Sequence, residues 1–173
     1  ESANKIFEID EHIIASAAGI LSDARVLIDR VRIVAQQNKV TYDSPVDVEE
    51  IIREIANTKQ MFTQYGGARP YGVAVLVGGV DNQGPRLFSS DITGNYFSYS
   101  SFAIGENDEK IKEILRIKYN KNLNIEGGIK LALTIFKEIL GKNFELNRFD
   151  VAYVPKETKK IQRVYGDDLK KYI

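Results

Sequence analysis

His12 is the single histidine of the chain, so a histidine-rich metal site is impossible and a serine triad would have to use this one residue. It closes the polar stretch Asp10-Glu11-His12 between two apolar runs, which places it in a hairpin connection as a solvated turn residue. There is no cysteine, which excludes disulfides, thiolate zinc sites, iron–sulfur clusters and cysteine nucleophiles together and suits an intracellular chain. The acidic pairs Asp10 and Glu11, Glu49 and Glu50, and Asp167 and Asp168 are sequence neighbours. Adjacent side chains on a helix or strand diverge, so these pairs are expected to be solvated or to cap helices. Gly66-Gly67 followed by Arg69 has the composition of an anion-binding loop, but it leads into a strand-like run instead of a helix N-terminus, so the expectation is a tight turn. Lys5, beside an apolar run, reads by residue type as a surface lysine at a sheet end. Tyr65, Arg69 and Tyr71 gather around the glycine pair; Tyr and Arg favour interfaces, which suggests a contact patch. These residues describe a binding or assembly domain better than an enzyme.

The elements that must position them follow from periodicity. Ile6–Ile9 and Ile13–Ala17 read as a strand pair ended by Gly19, and Ala24, Leu27, Ile28, Val31 and Ala35 recur at helical spacing. Ser44-Pro45 breaks that helix, and Asp47 with Glu50 resembles a capping box opening a second one that carries Val48, Ile51, Ile52, Ile55 and Phe62. The continuous apolar run Val73–Val77 predicts a central strand buried on both faces. Turns at 81–85 and 91–94 then predict an antiparallel meander through Arg86–Ser89 and Tyr96–Tyr99, closed by Gly105. A second helix pair follows, marked by Ile111, Ile114 and Leu115 and then by Ile125, Ile129, Leu133, Phe136 and Leu140. Phe149–Val154 and Lys160–Tyr165 are strand candidates, and Asp167–Ile173 a short terminal helix. Consecutive helices and consecutive strands argue against alternating βαβ units and favour an α+β fold, a four-layer α-β-β-α sandwich formed by residues 1–173 as one domain.

Composition narrows the partners. The 173 residues carry 24 Lys+Arg against 24 Asp+Glu, so the basic footprint of a general nucleic-acid or anionic-membrane binder is missing. No apolar run is long enough to span a bilayer. With 43% hydrophobic residues and only 4 Pro, a packed core is expected and disorder is not.

Two segments carry a sharper signal. Gly19-Ile20-Leu21-Ser22-Asp23-Ala24-Arg25-Val26-Leu27 resembles the G-L-x-A-D-A-R-x-L stretch of archaeal proteasome α subunits, with Ile20 and Ser22 as departures. Gln64-Tyr65-Gly66-Gly67-Ala68-Arg69-Pro70-Tyr71-Gly72 is similar to that family's Q-Y-G-G-x-R-P-(Y/F)-G stretch. Gly84-Pro85-Arg86-Leu87-Phe88 and Ala103-Ile104-Gly105 match the next hairpin and its closing turn.

The resemblance implies the Ntn-hydrolase sandwich and a non-catalytic cytoplasmic subunit without metal or cofactor. Its implied partners are other α subunits in a seven-membered gating ring, proteasome β subunits, and the C-terminal tails of activator ATPases. Cleavage in that family belongs to β subunits, whose N-terminal threonine supplies nucleophile and amine; this chain starts with Glu1. Two other readings stay open: a related N-terminal-threonine hydrolase, and a stand-alone interaction domain of the same fold. The resemblance implies that Lys5 meets the tail carboxylate, that Gly19 and Ile20 floor the adjoining pocket, and that Tyr65, Gly66 and Arg69 lie near the gate and subunit contacts. It further implies a missing front: a gating segment with a Tyr-Asp-Arg motif, a helix and a first strand pair, whose absence would leave each sheet an open edge. Finally, Gly127-Gly128 is poor helix-forming sequence, so the helix there is expected to begin near Ile129.

Overall fold

The computed structural model describes residues 5–64 and 69–173. Strands β1 (Ile6–Asp10) and β2 (Ile13–Gly19) precede helices α1 (Leu21–Tyr42) and α2 (Val48–Gln64). Strands β3 (Val73–Asp81), β4 (Gly84–Ser90) and β5 (Tyr96–Ser98) come next, then α3 (Asp108–Lys118) and α4 (Ile125–Leu140). After two short 3-10 turns, β6 (Asp150–Tyr153), β7 (Gln162–Tyr165) and a 3-10 helix over Gly166–Tyr172 end the chain.

The first five strands form one antiparallel sheet in chain order, with β3 at its centre as its unbroken apolar run requires. Period-two alternation divides its two faces. Ala15, Val75, Val77 and Phe88 join Leu27, Ile28 and Val31 of α1 and Ile51, Ile52 and Ile55 of α2 in the larger core. The opposite face presents Ile14, Leu76 and Leu87 to a cleft of about 340 Å³, whose far wall is Phe136 of α4 with Val151 of β6. Beyond it, β6 and β7 pair as a two-stranded sheet, and Ile129 and Leu133 of α4 pack with Val164, Leu169 and Tyr172 in a second core. The α-β-β-α order and the α+β class are therefore as expected. No described helix is long and apolar enough to cross a membrane.

Three local expectations are corrected. His12 is not solvated: it is 5% exposed, because the α1–α2 connection covers the hairpin turn and brings the Val46 carbonyl 2.8 Å from its Nε2. Its Nδ1 lies 3.9 Å from Asp10. At α2 the first amide, Val48 N, donates to Asp81 at 3.0 Å, while Glu50 pairs with Arg53 at 2.8 Å; a strand-end carboxylate takes the role expected of a local capping box. Helix α4 begins at Ile125, four residues before the expected Ile129. Asn124 caps it by accepting from Gly127 N at 2.8 Å, and a Cβ on Gly127 would stand 3.0 Å from Leu123 and 3.2 Å from the capping oxygen. The glycine thus leaves room for the cap, which offsets its poor propensity. Strand β1 lies at the edge of its sheet, where Arg32 of α1 donates to the Glu8 carbonyl at 2.8 Å and Arg163 of β7 to the Ile6 carbonyl at 3.3 Å. Charged side chains over an edge blunt strand addition.

Candidate functional site

The residues expected to receive a peptide tail meet at one end of the larger sheet. Ile6 pairs with Ser16 across β1 and β2, so exposed Lys5 stands where β2 runs out toward Gly19, and Ser16 Oγ donates to the Lys5 carbonyl at 3.0 Å. Gly19 has φ +124, a conformation that glycine alone adopts without strain. Ile20 is the extended N-cap residue of α1, and its carbonyl accepts from Asp23 N at 3.1 Å and Ala24 N at 3.2 Å. Its side chain is 45% exposed and that of Leu21 37% exposed. The site therefore offers an ammonium, a close backbone approach and an apolar patch, the groups suited to a carboxylate-ended apolar peptide.

What holds this floor in place is a second strand of chain. Gly72, just before β3, accepts from Ile20 N at 3.0 Å, and a Cβ at Gly19 would come 2.3 Å from the Gly72 carbonyl oxygen. Asp23, in the first turn of α1 and only 6% exposed, accepts from Gly72 N at 2.9 Å. The same carboxylate accepts two bonds from Arg69, Nη1 at 2.8 Å and Nη2 at 2.7 Å, a bidentate pairing. The Arg69 bond, and after it the Gly72 amide, hold the Asp23 carboxyl below the usual carboxylate range. Asp23 and Arg69, one from each of the two resembling segments, thus bind each other across 46 positions.

A further anchor comes from beneath. Lys59 of α2 is 1% exposed and its Nζ donates to the carbonyls of Val73 at 2.7 Å and Asp91 at 2.9 Å, and to Ser90 Oγ at 3.2 Å. Burial pushes its pKa down to about 8, against the opposing pull of the Asp91 carboxylate. A serine beside a lysine of lowered pKa is a combination that can activate a nucleophile. Here Ser90 is fully buried and the ammonium protons are spent on the Val73 and Asp91 carbonyls and on Ser90 Oγ, so the pair ties the start of β3 to the loop after β4.

Of the other expected residues, Tyr65 and Gly66 lie outside the described residues, as does the Gly66-Gly67 turn. The Arg69 side chain is 61% exposed even while it binds Asp23, which agrees with a surface position. Tyr71 turns inward instead of joining a contact patch, packing edge-on against Phe62 with ring centres 4.8 Å apart. Among the described residues no group of three or more His, Asp or Glu side chains gathers as a metal site. Reading by residue type missed Asp23 and Lys59. The second had a signal: Lys59 follows Val48, Ile52 and Ile55 along the apolar stripe of α2, so helical spacing alone sends it inward.

Comparison with known proteins covers nearly the whole chain. A family model described as proteasome subunit matches residues 1–154. The proteasome subunit alpha of Methanosarcina acetivorans is 41% identical over 174 residues, covering 100% of this chain and 70% of that protein. Those of Methanosarcina barkeri, at 38% with 100% and 70% covered, and of Methanococcus maripaludis, at 38% with 99% and 66% covered, are similar along the same length. With its two signature segments locked together in space and likeness of this extent, the chain belongs to the proteasome subunit family, on its α-subunit branch.

Proposed function

We propose that this chain is a non-catalytic α subunit of the proteasome core particle, working in the cytoplasm in protein degradation. In this reading it joins other α subunits in a heptameric ring, abuts β subunits that carry the peptidase chemistry, gates substrate entry, and receives activator ATPase C-terminal tails. The observation that carries the docking role is the placement of Lys5, Gly19 and Ile20 toward one end of the larger sheet, with Lys5 and Ile20 both exposed. A tail's terminal carboxylate pairs with the Lys5 ammonium, its backbone runs against Gly19, and its apolar residues cover Ile20 and Leu21. Tyr65, Gly66 and Arg69 belong to the gate-proximal and subunit-contact surface. No metal or cofactor enters the role.

Lys5→Ala tests it. The expected result is about tenfold weaker binding of an apolar peptide with a free C-terminal carboxylate, the loss of one charge-assisted contact, with little change for the same peptide amidated. Fluorescence anisotropy with both peptides measures the difference. If the variant still prefers the free acid as strongly as the parent chain does, Lys5 is not the carboxylate's partner.

A further inference from the structure

We propose that Asp23 and Arg69 are positioning residues for the docking floor: their bidentate pair, extended to the Gly72 amide, fixes Gly19 and Ile20 in the geometry that accepts a peptide. This rests on the docking reading and adds to it the device that sets the pocket's shape.

Three observations carry the inference. First, the floor has almost no covalent reason to stay where it is. Gly19 is the most freely rotating residue type and sits at φ +124, at the junction between the end of β2 and the start of α1. Secondly, beyond the β2–β3 pairing that ends at Gly19 and Val73, the floor is tied to the chain before β3 through Gly72. Ile20 N donates to the Gly72 carbonyl at 3.0 Å, and Asp23 accepts the Gly72 amide at 2.9 Å, so one residue of the 69–72 segment is gripped through both of its backbone polar groups. The fit is close, since a Cβ on Gly72 would reach 2.7 Å from Ile20 Cδ1. Thirdly, the gripping carboxylate is buried while the arginine that neutralises it is not: the Asp23 side chain is 8% exposed and that of Arg69 61%. A buried carboxylate needs a cation and hydrogen bonds to remain ionised at low cost. Arg69 supplies both from the surface, within the segment that Asp23 holds.

The chain of contacts therefore runs from Arg69 through Asp23 to Gly72 and from Gly72 to Ile20. Without the guanidinium, Asp23 turns toward water or takes up a proton, its grip on Gly72 N weakens, and the Ile20 amide loses its fixed acceptor. The pocket floor then samples several positions, and a peptide must select the competent one, which lowers apparent affinity by the fraction of time that position is occupied. Lys5 stands on the other side of β2 and is left in place. Loss of the clamp thus weakens free-acid and amidated peptides by the same factor, whereas loss of Lys5 weakens only the free acid.

The test uses the 173-residue chain with Arg69→Gln and, as a nearly isosteric second variant that keeps an acceptor for Gly72 N, Asp23→Asn. Amide hydrogen exchange followed by NMR is read at Ile20, Gly72 and, as an internal reference, Val75 and Val77 in the middle of β3. Anisotropy is read with a labelled apolar peptide in its free-acid and amidated forms. In Arg69→Gln the Ile20 and Gly72 amides are expected to exchange about tenfold faster or more, as for the loss of a hydrogen bond to a charged group, with Val75 and Val77 unchanged. Both peptide forms are expected to bind about fivefold to tenfold more weakly, their ratio preserved. Asp23→Asn is expected to move the same readouts in the same direction by less. Leu133→Ala, which loosens the second core, serves as the control for general destabilisation and is expected to leave Ile20 exchange and the affinity for both peptides untouched.

Unchanged exchange at Ile20 in both clamp variants would overturn the proposal. So would an equal effect from Leu133→Ala, which would make the clamp no more than one contributor to overall stability. Collapse of the free-acid preference in Arg69→Gln, as in Lys5→Ala, would overturn it differently, by making Arg69 a direct carboxylate contact. A parent chain that does not distinguish free acid from amide would overturn the docking reading itself, and the exchange data would still decide whether Arg69 and Asp23 hold Ile20.

Discussion

Replacing Lys59 by Met is expected to lower the stability of the fold by about 3 kcal/mol at neutral pH, one of the largest effects of any single substitution. Two terms oppose each other. Removing the lysine removes the cost of burying an ammonium, which is what pushes its pKa from the usual 10.5 to about 8. It also strips donors from the Val73 and Asp91 carbonyls, held at 2.7 and 2.9 Å, and from Ser90 Oγ, in a place where water has little access. Each orphaned buried acceptor costs roughly 1–3 kcal/mol, and several are orphaned at once, so the second term wins. A pH series separates the terms. Between about pH 8 and 10.5 the folded chain has released the Lys59 proton while the unfolded chain still holds it. The unfolded state therefore binds more protons, and stability from this group rises with pH across that window. The parent should gain about 2–3 kcal/mol relative to Lys59→Met over that interval, read as a widening gap between their urea midpoints. A constant gap from pH 7 to 10.5 would show that the ammonium is not strained by burial.

Gly19→Ala is expected to be of similar size. The new Cβ would sit 2.3 Å from the Gly72 carbonyl oxygen and 3.1 Å from the Val73 Cα, and both obstacles are backbone, which cannot rotate aside. The residue would also have to hold φ +124, strained for any L side chain. Relief requires β3 to withdraw from β2, breaking the 3.0 Å bond between Ile20 and Gly72. Strain and overpacking together come to about 3 kcal/mol, a fall in Tm of roughly 6–12 °C for a chain of this size. The same shift moves Ile20, so peptide binding should fall with stability. A variant with the parent Tm and parent affinity would mean that the Gly19–Gly72 contact is not tight in solution.

The elements that were legible in the sequence are those set by local pattern. The spacing of Ala24, Leu27, Ile28, Val31 and Ala35 defines the inward face of α1, and the continuous apolar run of β3 defines the centre of the sheet. What was not legible depends on partners far along the chain. His12 is buried by a carbonyl 34 positions away, and α2 is capped from 33 positions away by Asp81; neither partner is visible in a local window. The start of α4 failed for a different reason: two glycines weigh against a helix, while the Asn124 that rewards it lies just upstream. At the candidate site, residue type alone left Lys5 a surface lysine and Arg69 an interface residue. The family likeness pointed to the pocket, but not to its support, because Asp23 and Arg69 were carried in separate segments and only the fold joins them.

Co-expression with an archaeal proteasome β subunit, followed by native mass spectrometry, tests the proposed place of this chain in a proteasome particle. The expected result is assemblies that contain both chains, in species far heavier than the 19.5 kDa of the free polypeptide. Recovery of the two chains only in separate species, with this one never bound to the β subunit, would contradict it.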